Sequence, residues 1–413
     1  MKKRTISLVA TSMLALSALA GCSSNQNSSA DANGKVKIEF FSYKPEAVNT
    51  FNELIKEFEK ENPKIDVVQT NSPDSTTYIK SRVAKRDIPD VIGYGGEATF
   101  GELAKAGALK DISNDSLLNE VQPSYIQMIK DIANSDKVYG IPYATNADAV
   151  IYNKAIFKEL GIDVPQTWDQ FIAAAEKIKA AGKNPFYFTY KDAWTALPAY
   201  DALAANTQGQ NFFKELSSGK TTFAKGQKET FNKYATLLKY ANADSQGKGY
   251  SDGNTAFAKG EAAMYLQGVW AIPEIKKANP NIDLGIFPFP VTNTPGESKV
   301  VSGVDLALAT SSTTKHPKEV EKFIKFLFSD ASVKQYIKEQ NAFTAKKGII
   351  QDAPELQGLK DTFAKGNVVD FPDHNIPTAV NLANILQSFT ANRDVNECLK
   401  TLDSEYSKVQ SRN

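Results

Sequence analysis

Val36-Lys37-Ile38-Glu39-Phe40 alternates apolar and charged residues, the period of a strand with one buried face, and Ser42-Tyr43-Lys44-Pro45 then breaks the pattern. Val48, Phe51, Leu54, Ile55 and Phe58 recur at helical spacing until Asn62-Pro63 stops the helix, and Ile65-Asp66-Val67-Val68 follows as a second strand. Strand, helix and strand in so short a span make a βαβ unit, which forces the chain toward layered α/β architecture with a mainly parallel sheet. A third apolar run, Asp90 to Tyr94, leads into Gly95-Gly96-Glu97 and a helix containing Phe100 and Leu103.

A second α/β region begins after Ile141-Pro142. Val150-Ile151-Tyr152 reads as a strand, and Asn153 caps a helix Lys154–Leu160 that ends at Gly161. Thr167 caps another helix, closed near Ala181-Gly182. Ala262 to Leu266, Ile282 to Ile286 and Val304 to Thr310 read as buried strands, the last followed by a helix Pro317–Phe328. With 42% hydrophobic residues, the part of the chain beyond the N-terminal segment can fill two sizeable cores.

That segment is a separate unit. Lys2, Lys3 and Arg4 precede an apolar stretch, Thr5 to Ala20, too short to span a bilayer comfortably. Leu19-Ala20-Gly21-Cys22 resembles a bacterial lipobox, which implies cleavage after residue 21 and a diacylglyceryl group on Cys22. A plain secretory signal with an incidental cysteine is the alternative. Ser23 to Gly34 holds no residue able to anchor a core, and a flexible coil of that length reaches roughly 20 Å. The expectation is a signal peptide at 1–21, a lipid-anchored linker at 22–34, and a body held outside the cell membrane. Cys398, beside Leu399 and Leu402, then lacks a disulfide partner and reads as a small buried hydrophobe.

Loss of residues 1–21 removes three positive charges and no negative ones, leaving 45 Lys and Arg against 47 Asp and Glu. So balanced a chain offers no basic footprint for nucleic acid. His316 and His374 stand apart, with no Cys or His at metal-ligand spacing, so neither a metal nor a cofactor is expected. Gly93-Tyr94-Gly95-Gly96-Glu97-Ala98 mimics a dinucleotide fingerprint. It lies in a later βαβ unit, however, and Asp111 and Asp115 downstream end no convincing strand.

Tyr152 to Ile162 with Pro165 to Phe171, Ala256 to Met264 with Gly268-Val269-Trp270, and Leu306-Ala307-Leu308 through Phe323 to Ala345 together resemble extracellular solute-binding proteins of the maltose-binding-protein type. The resemblance covers essentially the whole chain from Lys35. It implies a two-lobe periplasmic-binding-protein-like fold (type II), each lobe a mainly parallel sheet flanked by helices. Residues 35–143 plus 302–344 would form the N-terminal lobe and 144–301 plus 345–413 the other. Hinge crossings are expected near Pro142–Asn146, Val300–Gly303 and Phe343–Lys347. The function implied is capture of an oligosaccharide, by a monomer without enzymatic activity, and its delivery to the membrane permease subunits of an ATP-binding-cassette importer.

A sugar offers hydroxyl edges and C–H faces, so its site needs aromatic platforms beside carboxylates, amides and cations, on loops at strand ends. Tyr43 and Lys44 follow the first strand, and Glu97 follows a Gly-Gly turn that lets the backbone approach closely. Asn146 and Asp148 sit where the chain first crosses. Lys191, Asp192 and Trp194 crowd base, acid and ring together, and the resemblance implies that Trp270 stacks on the ligand. Asp305 enters an apolar strand where a carboxylate needs either the cleft or a partner. Phe343 at the third crossing and His374 in a late loop complete the set. Three other readings stay open: an exported glycoside hydrolase using two acids among Glu97, Asp148, Asp192 and Asp305, a clamp for a peptide or other solute, and a lipoprotein that only senses ligand for a membrane receptor.

Overall fold

The computed structural model describes residues 34–412. Cys22 and the segment through Asn33 lie outside the described residues. Among the described residues, twelve strands run in order β1 (Val36–Ser42), β2 (Ile65–Thr70), β3 (Val91–Tyr94), β4 (Ile141–Thr145), β5 (Asp148–Asn153), β6 (Asn184–Phe186), β7 (Ala262–Gly268), β8 (Leu284–Phe287), β9 (Val300–Val301), β10 (Val304–Thr310), β11 (Phe343–Thr344) and β12 (Val368–Val369). Six of them form one sheet in the order β11-β4-β10-β3-β1-β2, and four form another in the order β6-β7-β5-β8.

The first sheet begins as the βαβ pattern demands. β1 pairs in parallel with β2 and β3, and the helix Val48–Glu61 returns over one face with Phe51, Leu54, Ile55 and Phe58 buried. Phe51 and Phe323 meet Phe40 edge-on, at 4.9 and 5.5 Å between ring centroids. The core of this half is drawn from residues 38–144 and 304–345.

The second sheet is buried on both faces, and successive residues of β5 divide between them. Val150 enters a core with Phe171, Phe186 and Phe389, while Ala149 and Ile151 enter one with Phe257, Ile272 and Leu359. Asn153 and Thr167 cap the helices Lys154–Leu160 and Trp168–Ala180 as the sequence predicts, and Gly161 closes the first with φ +56°. Cys398 is buried among Leu399, Leu402 and Phe389.

Strand direction departs from expectation. β10 lies antiparallel between β3 and β4, β11 is antiparallel to β4, and in the second sheet only β6–β7 is parallel. The sheets are therefore mixed rather than mainly parallel. The cause is connectivity: β10 enters the first sheet from the second half of the molecule rather than through a same-side helix, so no crossover rule fixes its direction.

Two crossings lie side by side. After β4, Asn146 N–H donates to Gly303 O at 3.3 Å, Ser302 Oγ donates to Asn146 O at 2.7 Å, and Val269 N–H donates to Ala147 O. Around the third expected crossing, Phe343 already stacks on Phe363 beside the second core, while Lys346 still bridges to Val121 and Lys347 N–H donates to Glu120 O.

Candidate functional site

The carboxyl ends of β1, β3 and β4, the start of β5 and the end of β7 converge where the two cores meet, together with the turn Pro372–Asn375. Most of the residues predicted to touch ligand lie around this junction, in three different situations.

The first group is bonded to itself. Lys44 Nζ donates to Asp305 Oδ2 at 2.6 Å and lies 3.2 Å from Glu46 Oε1. Asn146 Nδ2 donates to Asp305 Oδ1 at 3.1 Å, and Asn146 Oδ1 accepts from Gly303 N–H at 3.3 Å. Tyr43 OH donates to the Asp305 carbonyl at 2.7 Å. Lys44 and Asp305 are both buried. Burial alone would depress the lysine, but Asp305 and Glu46 outweigh it and hold the ammonium well above its ordinary range. This cluster ties β1, β10 and the first crossing together, and Asp305 thereby has the partners that its apolar strand requires.

A second group is taken up by packing. Asp192 Oδ2 accepts from Tyr250 N–H at 2.7 Å at the start of the helix Tyr250–Ala258. Phe343 stacks on Phe363 at 4.4 Å. Trp270 lies across Gly268, where an added Cβ would stand 2.1 Å from its ring, and its indole N–H donates to Gln267 Oε1. Lys191 is exposed. Asp148 is sealed in, and neither of its carboxylate oxygens has a hydrogen-bond partner among the described residues. Its burial, with Asp373 close by, drives its carboxyl well above the usual range, against the pull of His374. Three of the four acids weighed for glycoside hydrolysis are thus paired, engaged in a helix cap or enclosed.

The third group is only partly enclosed. His374 is half-buried: Nδ1 lies 3.2 Å from Asp370 Oδ1, Nε2 lies 3.9 Å from Asp373 Oδ1, and its ring sits 5.0 Å from Phe371. Burial opposes the imidazolium, but Asp370, Asp373 and Glu97 overcome it and hold His374 at about 9. Glu97, from the first lobe, faces this turn. Burial pushes it up to about 7, with His374 pulling down and Asp373 pushing up. Trp194, 40% exposed, leans on Tyr250 at 5.0 Å between centroids.

Phe371, Asp370, Asp373, Asp201 and Tyr250 were not among the predicted residues. Phe371-Pro372-Asp373-His374 puts ring, acid and base into four positions, the same signal that singled out Lys191 to Trp194. Asp201 carried no signal, because it lies in an otherwise apolar helix, Leu197–Thr207. Its Oδ1 accepts from Asp373 N–H at 3.0 Å and so supports the turn from behind. Gly303 allows that turn its position: a Cβ there would lie 2.9 Å from both Asp370 Oδ1 and Phe371 Cδ2.

Residues 44–334 match the bacterial extracellular solute-binding protein family. The chain belongs to that family. It is 37% identical over 345 residues to the multiple sugar-binding protein of Streptococcus mutans, covering 81% of this chain and 80% of the relative. It is 27% identical over 337 residues to the melibiose/raffinose/stachyose-binding protein MelE of Bacillus subtilis, covering 78% and 76%. Among solved structures, RafE in complex with raffinose superimposes with TM-score 0.80 at 29% identity over 91% of this chain and all of that one. The apo form of RafE from Streptococcus pneumoniae gives 0.74 at the same identity, over 91% of this chain and 98% of that one. The two-lobe architecture of this family is therefore the architecture of this chain. Among the described residues, no helix is long and apolar enough to cross a membrane, and no group of three or more His, Cys, Asp or Glu could hold a metal ion.

Proposed function

We propose that this protein captures a short neutral oligosaccharide between its lobes and passes it, unaltered, to the permease of an ATP-binding-cassette importer, while Cys22 holds it to the outer face of the cell membrane through a lipid. The observation that carries this reading is the facing of Phe371, Asp373 and His374 on one lobe by Glu97 on the other. A ring, an anion–cation pair and a carboxyl then come together at the junction of the two cores. A pyranose fits such a setting: its C–H face packs on Phe371, and its hydroxyls donate to the carboxylates and accept from His374. Trp194 and Tyr250 supply a second aromatic station, which suits a ligand longer than one sugar. The relatives named for binding several sugars and the raffinose complex support the same class.

The moving bodies in this reading are residues 35–143 with 302–344 and residues 144–301 with 345–413, with the third hinge near Phe343–Lys347. The protein acts as a monomer. Ligand contacts made to both lobes stabilise the closed arrangement, which is the form a permease would recognise.

A thermal-shift screen against melibiose, raffinose, stachyose and maltotriose tests the reading, with tri- and hexapeptides as controls. A ligand at about 100 times its dissociation constant adds roughly 2.7 kcal/mol of stability. Chromatography of the recovered sugar must show it uncut. Silence toward all sugars with a response to peptides refutes the cargo, and cleavage products refute the transport role.

A further inference from the structure

The two lobes are bonded to each other beside the candidate site. Thr378 Oγ1 donates to Glu102 Oε1, and Glu102 Oε2 lies 2.5 Å from Lys80 Nζ. Glu102 belongs to the first lobe, on the helix Ala98–Lys105, whose Phe100 and Leu103 enter the first core. Lys80 lies on the neighbouring helix Ser75–Ala84, held to the same core by Ile79. Thr378 belongs to the other lobe, between Ile376 and Val380, both buried in the second core. The helix of Glu102 begins directly after Glu97, and Thr378 follows His374 by four residues. The segments that carry these two site residues are thus tied together about a turn beyond them. None of the three residues lies in a crossing segment, so the Thr378–Glu102 bond joins surfaces that separate when the lobes part.

We propose that Thr378, Glu102 and Lys80 form a latch between the lobes, which sets how long the clamp stays shut without touching the sugar. The inference rests on the clamp reading above. Lys80 and Glu102 share a lobe, so their ion pair survives opening and keeps the carboxylate turned toward the place where Thr378 arrives. Closure then fixes only one short side chain, at small entropic cost. A charge-assisted hydrogen bond is gained, but Glu102 and Lys80 are 43% and 39% exposed, and water competes for all three groups. The latch is therefore weak, worth about a three- to ten-fold shift in the ratio of closed to open forms. Weakness suits a carrier that must reopen to release its cargo. A contact made only in the closed form changes apparent affinity by the factor by which it changes the closed population. The change falls on dissociation, because release waits for opening.

The test has two arms. Thr378→Val removes the hydroxyl at nearly constant volume, and Thr378→Ser keeps it; Thr378 is exposed, so neither change disturbs a core. Stopped-flow release of raffinose, followed by tryptophan fluorescence, should be about three- to ten-fold faster in T378V than in the wild type, while T378S releases near the wild-type rate. Glu102→Ala should match T378V, and the double variant should add little to either single, because both remove one bond. Lobe-to-lobe fluorescence energy transfer on the ligand-free protein gives the second arm: it falls in T378V and holds in T378S. Wild-type release and wild-type transfer in T378V overturn the proposal, as does a T378S that behaves like T378V, or a double variant whose loss is the sum of the singles. If the wild type binds no raffinose, the sugar reading fails. The transfer arm then decides the latch alone, upholding it by a difference between T378V and the wild type and overturning it by equality.

Discussion

Lys44→Met removes the ammonium from Asp305 while nearly keeping the side-chain volume. In the native protein the pair is 2.6 Å apart, and lysine and aspartate are 5% and 4% exposed. Breaking a buried pair from one side costs about 3–5 kcal/mol, because the remaining charge stays out of water without its partner. Asp305 keeps the Asn146 amide at 3.1 Å, so the cost should fall at the lower end, about 3 kcal/mol. Lys44→Met with Asp305→Leu removes the pair together and should recover about 1–2 kcal/mol of the single-variant loss, the remainder being the partners lost by Glu46 and the Asn146 amide. Urea unfolding followed by tryptophan fluorescence measures the three variants, and raffinose titration on each separates two roles for Lys44. A lysine that serves the hinge region alone gives a double variant that regains binding along with stability. If K44M costs less than about 1 kcal/mol, or the double variant loses the sum of the singles, the cluster is not the structural tie argued here.

Three further outcomes are expected. Asp148→Asn removes a carboxyl whose folded-state value is raised by burial; the stability that this carboxyl contributes is complete in acid and is lost as pH rises through the folded value. The variant's melting temperature should therefore fall less than the wild type's between pH 5 and pH 9, and an equal fall would refute the assignment. Trp194→Ala should weaken binding of a tri- or tetrasaccharide by about ten-fold, or ~1.4 kcal/mol, while leaving a disaccharide nearly unaffected if the second station is distal. Gly303→Ala forces a Cβ to within 2.9 Å of Asp370 and Phe371, so it should cost about 1–3 kcal/mol and displace the turn that carries His374. Loss of raffinose affinity with an unchanged Tyr43–Lys44 region, read by amide exchange, would locate the effect.

Local chemistry made the fold legible. Helices and strands through Tyr94, and the caps at Asn153 and Thr167, follow from periodicity and from side chains that bond their own backbone, interactions complete within a few residues. Strand direction was not legible, because the place of β10 between β3 and β4 depends on a return from the other half of the chain more than a hundred residues later. The site divided in the same way. Sequence identifies which segments reach the junction: Tyr43, Lys44, Asn146 and Asp305 are there, and so are Glu97 and His374. It does not say whether a polar group at the junction is already satisfied. Lys44 and Asp305 are 261 residues apart, and their pairing is visible only once both strands are in place.

That difference is what distinguishes structural from ligand-binding candidates at a hinge. Backbone leaving a sheet at a crossing exposes N–H and C=O groups that must find partners where little water reaches. At Asn146 and Gly303 one amide side chain accepts from one backbone N–H while its NH2 donates to Asp305, so a single residue joins two crossings to β10. Such a residue has little capacity left for a sugar. The turn Pro372–Asn375 is arranged otherwise. Asp370 and Asp373 share its one base, His374, Asp373 Oδ1 makes no hydrogen bond among the described residues and lies 3.9 Å from His374 Nε2, and the facing Glu97 contributes a carboxyl that no helix cap engages. Unsatisfied capacity at the junction of two cores is costly unless something arrives to complete it, and sugar hydroxyls, which both donate and accept, meet that need. Glu97→Ala should therefore abolish measurable raffinose binding with little loss of melting temperature, His374→Ala should abolish it with some loss because Asp370 is left without its partner, and Asn146→Ala should lower both. The opposite pattern would place the ligand at the crossing cluster instead.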